Sequence, residues 1–481
     1  MGQGGYLTLV NGTQYTWRQT SNQATYQVET SGTPETVAPG QTSQIYIEFH
    51  QAFWITRSDS VLSRFYNIDG TNNCSFQILV KDHPSSIRVT FNGFSTPGIP
   101  SGTEVDLGWV HDGSTRFILS GVEGCFSSNH GSIDWMKDNL NKLGSRHLYQ
   151  ICMPGTHDAG MSSRSLSTTI ISALSPVTAN IMDSALLCQS KNIYGQLADG
   201  SRYLDIRPVI SCGSFWTGHY TKVEGLWLGG VGQKISSVVD DVNNFTAAHK
   251  ELVIVNLSHA MNTDVGITSY RDLEQGEWDL LFKEFSRVQD RYIAKTANDA
   301  ANLTSNTLND FIGSGKAAVI IVVDANIKLG SFEHQGFFTT NEVSVQDEYS
   351  NTDDAVTMIN GQLGKLDKLL SSFSPKLFLL SWTLTPQMTN FGWGAVANEL
   401  VKRTPLGLFW NGPSSKASVK DMAYSANKSL FTDCLPHCHP ANLPNILYVD
   451  FLEGSDYAAL AMAINDLCFP PMQSKLTQPK L

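Results

Sequence analysis

The sequence has few charged residues, no run of lysine or arginine, and no hydrophobic stretch long enough to cross a membrane. Only 16% of the residues are charged and 41% are hydrophobic, which is typical of a globular chain and excludes a disordered one. The formal net charge of −11 argues against a general nucleic-acid-binding protein. It also disfavours contact with an anionic membrane except through a local patch. An apolar segment such as AAVIIVVDA is about half a membrane span and predicts a buried strand.

Cysteine usage and the N-terminus leave the cellular compartment open. The eight cysteines are sparse for 481 residues, and their spacing does not define a disulfide framework. The segment CLPHCHP combines Cys434, His437, Cys438 and His439, but it lacks a second ligand pair at zinc-finger spacing. We favour a disulfide or an ordered loop there over a metal site. The first residues, MGQGGYLTLV, have neither the basic start nor the long apolar core of a secretory signal.

The patterning changes once along the chain, and a chain of this length exceeds one ordinary core. Residues 1–125 contain short alternating runs such as SQIYIEF and SIRVTFNGF, separated by turn residues, which predicts an antiparallel β-sandwich of unknown role. Residues 126–134 are interpreted as a linker. Residues 135–481 alternate short apolar strands with longer helical stretches, which predicts an irregular (β/α) barrel of the TIM type.

Candidate functional residues lie where predicted barrel strands end. The segment SRHLYQIC reads as a strand that Pro154 and Gly155 stop, which brings the next two residues to the mouth of the barrel. Residues just past the carboxyl ends of barrel strands converge on one face. Collecting them gives His157 and Asp158 in MPGTHDAGMSS, Asp205 and Arg207 in YLDIRPV, His219 in WTGHY and Asp450 in NILYVD.

This set of side chains suits acid–base displacement at phosphorus. One histidine removes a proton from the nucleophile, the other protonates the leaving oxygen, and an arginine balances charge on the phosphoryl oxygens. Alternation along a strand puts Asp205 and Arg207 on the same face, which predicts a salt bridge between them. His249 and His259 are interpreted as ordinary helix and strand-end residues.

The order PGTHDAG, LDIRPVI, GHY, VQDEYS and LYVDF resembles the phosphatidylinositol-specific phospholipase C X-domain family, and most closely its bacterial metal-independent branch. The resemblance spans about residues 135–470 and leaves the first 125 outside. It implies that His157 is the general base on the inositol 2-hydroxyl, oriented by Asp450. It implies that His219, partnered by Asp158, is the general acid for the diacylglycerol oxygen, and that Arg207 contacts the 2-hydroxyl and the phosphate.

The same resemblance gives expectations for the substrate. In VQDEYS, it implies that Asp347 contacts ring hydroxyls and that Tyr349 offers a stacking face, and Asp205 joins them in the substrate-binding set. The substrate would be an inositol phospholipid or a soluble inositol phosphodiester, with a peripheral membrane contact as an open alternative. Where the family holds the ring with a basic residue, this chain has Asp324, so the headgroup stays open.

We expect no metal ion and no other cofactor. By the resemblance, Arg207 occupies the place of a carboxylate that binds calcium in metal-dependent relatives. Exchanging a negative charge for a positive one beside a divalent cation reverses an interaction worth about 4 kcal/mol per unit charge at 4 Å. Ala159 and Gly160 offer no replacement ligand.

Two rival interpretations stay open. A glycerophosphodiesterase-like or sphingomyelinase-like barrel would need acidic metal ligands. A catalytically vestigial protein would bind a membrane or a glycan. Trp227 and Trp393 lie among glycines, where core packing is the default and an interfacial anchor is the alternative.

Overall fold

The structure, a computed structural model, describes residues 3–52, 56–129, 133–163, 186–223, 226–266, 269–369, 375–385 and 418–471. The chain divides into two compact units. The first comprises Met1–Ser132, Lys428–Leu443 and Ala458–Leu481, and the second comprises Ile133–Asn427 and Pro444–Tyr457. No helix among the described residues combines the length and the apolar character needed to traverse a bilayer.

The first unit is built from two β-sheets. Its strands are β1 (Gln3–Thr13), β2 (Trp17–Tyr26), β3 (Val28–Ser31), β4 (Thr36–Val37), β5 (Thr42–Phe49), β6 (Val61–Ile68), β7 (Ser75–Lys81), β8 (Ser86–Asn92), β9 (Glu104–Gly108), β10 (Ser114–Gly121) and β11 (Ser127–Ser128). One sheet has the order β11-β10-β1-β5-β3 and the other β4-β2-β6-β7-β8-β9. All neighbours are antiparallel except β1 and β10, which the predicted antiparallel arrangement missed. These two strands are far apart in sequence, so no hairpin dictates their direction.

A shared apolar core joins the two sheets because alternate residues of each strand face inward. In β7 the buried positions are Phe76, Ile78 and Val80. Phe76 packs edge-on against Trp17 at a centroid distance of 5.1 Å, and lies 4.9 Å from Phe117 of the other sheet. Aromatic residues therefore dominate the contact between the two sheets.

Two C-terminal segments complete the first unit, although the sequence placed them in the barrel. Ser120 donates to the Asp466 carboxylate at 3.0 Å, and the Arg116 guanidinium lies 3.9 Å from the Phe431 ring centroid. The motif CLPHCHP lies in one of these segments. Its buried Cys434 and Cys438 form no disulfide, since their Sγ atoms lie 3.8 Å apart, and the Cys438 thiol donates to the Cys434 carbonyl at 3.2 Å. The two C-terminal segments join the first unit only through contacts with residues distant in sequence. No local sequence pattern could therefore predict where they pack.

The second unit contains an eight-stranded parallel sheet that curls as a half-barrel. Its strands are β12 (Met153–Thr156), β13 (Tyr203–Ile206), β17 (Leu252–Leu257), β20 (Ala318–Val323), β21 (Phe337–Thr339), β22 (Val345–Asp347), β23 (Leu377–Trp382) and β24 (Ile446–Val449). Their order is β21-β20-β17-β13-β12-β24-β23-β22, and every neighbouring pair is parallel. Within the described residues β21 and β22 do not pair, so the ring is open. A smaller sheet contains β14 (Pro208–Ser211), β15 (Ser214–Val223), β16 (Leu226–Lys234), β18 (Met261–Asn262) and β19 (Arg271–Asp272).

Helices separate most strands of the parallel sheet, as the alternating pattern predicted, but only a 3-10 turn lies between β20 and β21, and β22 follows β21 without a helix. They are α1 (Trp135–Asp138), α2 (Leu140–Leu143), α3 (Ile193–Ala198), α4 (Ile235–Ala248), α5 (Gln275–Phe285), α6 (Ala297–Ala301), α7 (Leu308–Ile312), α8 (Ala355–Lys368), α9 (Val419–Asp433) and α10 (Asp456–Cys468). In α4 the apolar residues recur at helical spacing, and Val238, Val242 and Phe245 are buried in the core of the second unit.

The first predicted barrel strand is displaced. Leu148–Gln150 form a 3-10 turn, and β12 begins only at Met153, so the prediction of a strand in SRHLYQIC was wrong. Pro154 and Gly155 lie within the strand instead of stopping it. The Pro154 carbonyl still accepts from the Arg202 amide, and Gly155 is needed because a Cβ there would lie 2.6 Å from Ile446. A short apolar run does not distinguish a strand from a turn.

Candidate active site

The ends of neighbouring parallel strands bring the candidate residues together. His157 follows β12, Arg207 follows β13 and Asp450 follows β24, and these three strands are adjacent in the sheet. His219 reaches the same place from β15. All four line one cavity of about 330 Å³. The convergence follows from parallel strands ending at one edge of the sheet.

His157 is held as a proton acceptor. Its Nδ1 lies 2.7 Å from Asp450 Oδ1, and Arg207 Nη2 lies 2.8 Å from its Nε2. A carboxylate at Nδ1 fixes the proton on that nitrogen, so Nε2 keeps its lone pair and accepts from Arg207. Burial is the largest influence and lowers the pKa of His157, but the charge and hydrogen bond of Asp450, with Asp158, outweigh burial and Arg207, so the net pKa lies above the ordinary value. Asn427 donates to the Asp450 carbonyl at 2.8 Å, which fixes the backbone beneath this carboxylate.

Arg207 lies between two buried carboxylates. Its Nε is 3.1 Å from Asp205 Oδ2 and its Nη1 is 3.6 Å from Asp158 Oδ2, so the predicted Asp205–Arg207 salt bridge is present. Asp205 also accepts from Tyr448 and Ser258, each at 2.6 Å. Burial alone would raise the pKa of Asp205, yet the guanidinium and these donors bring it below the ordinary value. The carboxylate is therefore occupied in fixing Arg207.

His219 and Asp158 form the second imidazole–carboxylate pair. His219 Nδ1 lies 3.1 Å from Asp158 Oδ2, and the fully buried Asp158 carboxylate makes no geometrically complete hydrogen bond with a described residue. Burial raises the pKa of Asp158 to about 7, and burial and then Arg207 bring the pKa of His219 well below its ordinary value. The pair therefore holds one proton near neutral pH and is poised to donate it. The two histidine rings lie 6.4 Å apart, centroid to centroid.

The local backbone explains the motif GTHDAG. Asp158 has φ +43°, a left-handed conformation that Asp tolerates better than most residues. This turn points His157 and Asp158 to different partners, although they are consecutive. Gly160 follows where a Cβ would lie only 2.2 Å from Thr217, so the chain passes too close to β15 for any side chain.

In the part of the chain that the structure describes, two donor sets at the site could face a metal ion, and neither suits a hard cation. They are His157–Cys188–Asp450 and Asp158–Cys188–His219. Each set offers a single carboxylate, while calcium and magnesium prefer several oxygen ligands. Burial raises the pKa of the shared Cys188 thiol well above its ordinary value, so it is not a thiolate. The guanidinium of Arg207 touches His157 in the first set and approaches Asp158 in the second. The residues therefore do not fit calcium or magnesium.

The proposed headgroup residues also line the cavity. Asp347, at the end of β22, and Tyr349 lie on its rim, and the Tyr349 side chain is exposed. Asp205 lines it too, although its oxygens are already taken by Arg207, Tyr448 and Ser258. Trp227 is partly buried, packs against a small apolar cluster and stacks on Tyr270 at a centroid distance of 6.3 Å. Trp393 lies outside the described residues.

Sequence reasoning missed several cavity residues. His259, interpreted as ordinary, lines the cavity, and its Nδ1 lies 2.9 Å from Ser258 Oγ. Both follow β17, so the rule that found His157 could have found them. Tyr448 shares a strand face with Asp450, which alternation also signals. Cys188, 3.6 Å from His219 Nδ1, carried no such signal.

Comparison with known proteins gives only remote likenesses. No family model and no curated protein matches the chain. Among solved structures, one match is the phosphatidylinositol-specific phospholipase C of Staphylococcus aureus, with 15% sequence identity and a TM-score of 0.41. The match covers 67% of this chain and 94% of that one. The enzyme of the same name from Listeria monocytogenes matches at 15% identity over 70% and 98%, with a TM-score of 0.38.

Proposed function

We propose that the second unit is a metal-independent phosphodiesterase that cleaves an inositol phospholipid, or a soluble inositol phosphodiester, to a 1,2-cyclic inositol phosphate. We also infer that its open parallel sheet is an irregular (β/α) barrel and that the first unit is a β-sandwich. The observation that carries the proposed activity is the guanidinium of Arg207 beside two histidines, each with its own carboxylate. That arrangement supplies a base, an acid and a fixed positive charge around one phosphate.

The first step is attack within the substrate. The inositol 2-hydroxyl displaces Arg207 from His157 Nε2 and gives its proton to that nitrogen. Its oxygen forms the new bond to phosphorus, and Asp450 stabilises the imidazolium through the 2.7 Å contact at Nδ1. Arg207 turns its freed N–H groups to the hydroxyl oxygen and a phosphoryl oxygen, where negative charge develops.

The second half of the step releases the alcohol. The phosphorus–oxygen bond to the diacylglycerol, or to glycerol in a soluble substrate, breaks as the ring closes. His219 donates a proton to the departing oxygen, and the proton of the Asp158–His219 pair is the source. Each proton transfer is worth about 10²–10⁴ in rate. The anionic phosphodiester beside His219 draws the shared proton from Asp158 to the imidazole.

The rim residues would hold the headgroup. Asp347 would accept hydrogen bonds from ring hydroxyls, and exposed Tyr349 would cover one face of the ring. Asp205 would act through Arg207. A lipid substrate also requires the protein to reach a membrane surface peripherally.

The test is to incubate the purified protein with phosphatidylinositol and EDTA and follow the cyclic inositol phosphate by ³¹P NMR. We expect the wild type to be active and His219→Ala to lose about 10²–10⁴ of the rate. His249→Ala is the matched control, because His249 contacts Asp134 at 3.1 Å and does not line the cavity. It should retain wild-type activity.

Other outcomes would overturn the proposal. Activity abolished by EDTA would favour a metal-dependent glycerophosphodiesterase-like or sphingomyelinase-like reaction. Equal activity in the wild type and His219→Ala would remove the acid assignment. A wild type inactive on phosphatidylinositol and on glycerophosphoinositol would favour the vestigial binding protein.

A further inference from the structure

A polar groove opens on the first unit where β2 departs from β6. The strands pair at Gln19 with Tyr66 and again at Gln23 with Arg64, so residues 20–22 bulge out of the ladder opposite a single residue of β6. Bulges re-aim side chains and are common beside functional sites. The groove has a volume of about 460 Å³, and all of its lining residues are polar or charged.

Arg64, which lines the groove, is a buried cation that has no counter-ion among the residues the structure describes. It is 6% exposed. Its Nη1 donates to the Ala24 and Ser63 carbonyls at 3.0 and 2.8 Å, and its Nη2 to Thr25 Oγ1 at 3.0 Å. Among the described residues Nε has no hydrogen-bond partner, and no carboxylate lies within ion-pair distance of the guanidinium. Burial lowers the pKa of Arg64, and no nearby anion reverses that shift.

Other arginines that the structure describes, one fully buried and one partly exposed, have carboxylate partners. Arg202 contacts Glu251 at 2.9 Å with both side chains fully buried, and Arg57 contacts the buried Asp82 at 2.7 Å. A buried arginine normally needs such a partner because removing its charge from water is costly. Arg64 has no such partner among the described residues. An anion bound from solution would supply the missing negative charge.

The Arg64 guanidinium keeps unused donors. A guanidinium has five N–H groups, and the three bonds above leave the Nε proton and one Nη2 proton. Arginine can present Nε–H and a neighbouring Nη–H side by side to two oxygens of a phosphate, sulfate or carboxylate. Nε is buried, so full engagement of an anion requires a local shift of the groove, where the pairing of β2 with β6 is already interrupted between Gln19 and Gln23. Thr33, another groove residue, has a buried hydroxyl without a partner.

We propose that this groove binds an oxyanion carried on a hydroxylated body, the chemistry of a sugar phosphate. The groove is much larger than a bare phosphate, and its amide and hydroxyl side chains suit sugar hydroxyl groups. Gln19 donates to Gln23 at 2.9 Å, which leaves an amide oxygen and an amide nitrogen for the ligand. An acyl chain would find no apolar wall. The site is independent of the proposed reaction.

The test is calorimetric titration of the full chain with glucose 6-phosphate, inorganic phosphate and glucose. We expect glucose 6-phosphate to bind best, phosphate more weakly and glucose not at all. Arg64→Lys keeps the charge but removes the two-pronged edge, so affinity should fall about 10- to 100-fold, as for the loss of a hydrogen bond to a charged group. Titrations are repeated in Arg207→Gln, because the active site also attracts phosphate. Binding that survives Arg207→Gln but not Arg64→Lys supports the groove.

Two further variants separate binding from folding, since Arg64 also ties down strand oxygens. Thr33→Val removes the unpartnered hydroxyl with little change of shape and should weaken glucose 6-phosphate about 3- to 10-fold, as for one neutral hydrogen bond. Arg88→Lys is the matched control, because Arg88 lies on β8 and pairs with Glu104 at 2.8 Å. It should bind like the wild type. Absence of glucose 6-phosphate binding in the wild type, or equal losses in Arg88→Lys and Arg64→Lys, would overturn the proposal, as would binding lost in Arg207→Gln.

Discussion

Arg64 of the first unit and Arg207 of the second are both largely buried, yet their surroundings differ in charge. Arg207 faces Asp205 and Asp158 and lies against His157, so its charge is balanced and its orientation fixed before any substrate arrives. Arg64 is tied only to neutral oxygens. Burial pushes both pKa values down, but neighbouring carboxylates reverse the shift only for Arg207. The same side chain is therefore preorganised in one unit and left with unmet charge in the other.

The second unit also contains a purely structural arginine. Arg202 pairs with Glu251 in the fully buried interior and donates to the carbonyls of Leu197, Ser201 and Ile133. It has no route to a ligand because its side chain has no exposed surface. Arg64, Arg202 and Arg207 are all largely buried. They differ in whether a carboxylate is their partner and in whether a ligand can reach the guanidinium.

The largest effect should come from removing the preorganised cation. Arg207→Gln loses the charge that stabilises the phosphoryl oxygens, and we expect the rate to fall about 10³–10⁵-fold, the worth of an arginine at a transferring phosphoryl group. Steady-state kinetics on phosphatidylinositol measures the loss, with circular dichroism as the control for folding. A fall of less than tenfold would mean that Arg207 is no more catalytic than Arg202.

Breaking the structural pair should lower stability. Glu251→Ala leaves the Arg202 charge buried without a partner, and we expect about 3–5 kcal/mol less free energy of unfolding. The Met136 and Lys137 amides also lose their acceptor. Urea denaturation followed by tryptophan fluorescence measures the change. Unaltered stability would show that the guanidinium finds water or another anion.

The pH dependence tests the two imidazole–carboxylate pairs. His157 must be neutral to accept a proton, so kcat/KM should rise with pH through its raised pKa and fall again above about 7 as the Asp158–His219 pair loses its proton. Asp450→Asn removes the charge that raises the pKa of His157. The acidic limb should therefore move to lower pH while the basic limb stays, and the plateau should fall because the ring is less well oriented. If Asp450→Asn moved the basic limb of the pH profile instead, His157 would be the acid and His219 the base, contrary to the proposal.

The smallest effect should come from the exposed arginine beside the groove. Arg18 pairs with Asp69 at 3.0 Å, with 59% and 37% of the two side chains exposed. Solvent screens such pairs, so Arg18→Gln should change the free energy of unfolding by about 0.2–1 kcal/mol. Urea denaturation of Arg18→Gln and Glu251→Ala under the same conditions compares the smallest and the largest expected losses in the free energy of unfolding. A larger loss would mean that the groove contributes to folding of the first unit.

Much of the active site was predictable because it depends on local rules. Apolar runs predicted the buried cores of β13, β17, β20, β23 and β24, and residues after such strands converge in a parallel sheet. Alternation paired Asp205 with Arg207. The same rules could have found Ser258, His259 and Tyr448. Ser258 and Tyr448 donate hydrogen bonds to Asp205, and His259 contacts Ser258. The position of a residue after a strand does not reveal such contacts.

Other features had no local signature. β12 is short and contains proline and glycine, so its position depends on β24 and Gly155 packing against Ile446. The membership of two C-terminal segments in the first unit depends on contacts such as Ser120 with Asp466, which are 346 residues apart. Nor did the sequence distinguish Arg64, since its lack of a carboxylate is a property of its neighbours.

The amino-acid order by itself determined the change from alternating strands to strand–helix units, and it identified two histidines, an arginine and their acidic residues as one chemical set. Periodicity and strand-end chemistry are local, so they can be read without coordinates. Strand alternation paired Asp205 with Arg207, and the resemblance named a carboxylate for each imidazole. Only the tertiary structure decided that Arg207 also contacts His157 and approaches Asp158, that Tyr448 and Ser258 donate to Asp205, and that the buried Arg64 has no carboxylate beside it among the described residues. Those outcomes depend on distances of a few ångströms between residues remote in sequence, where Coulomb energy and desolvation change steeply with position.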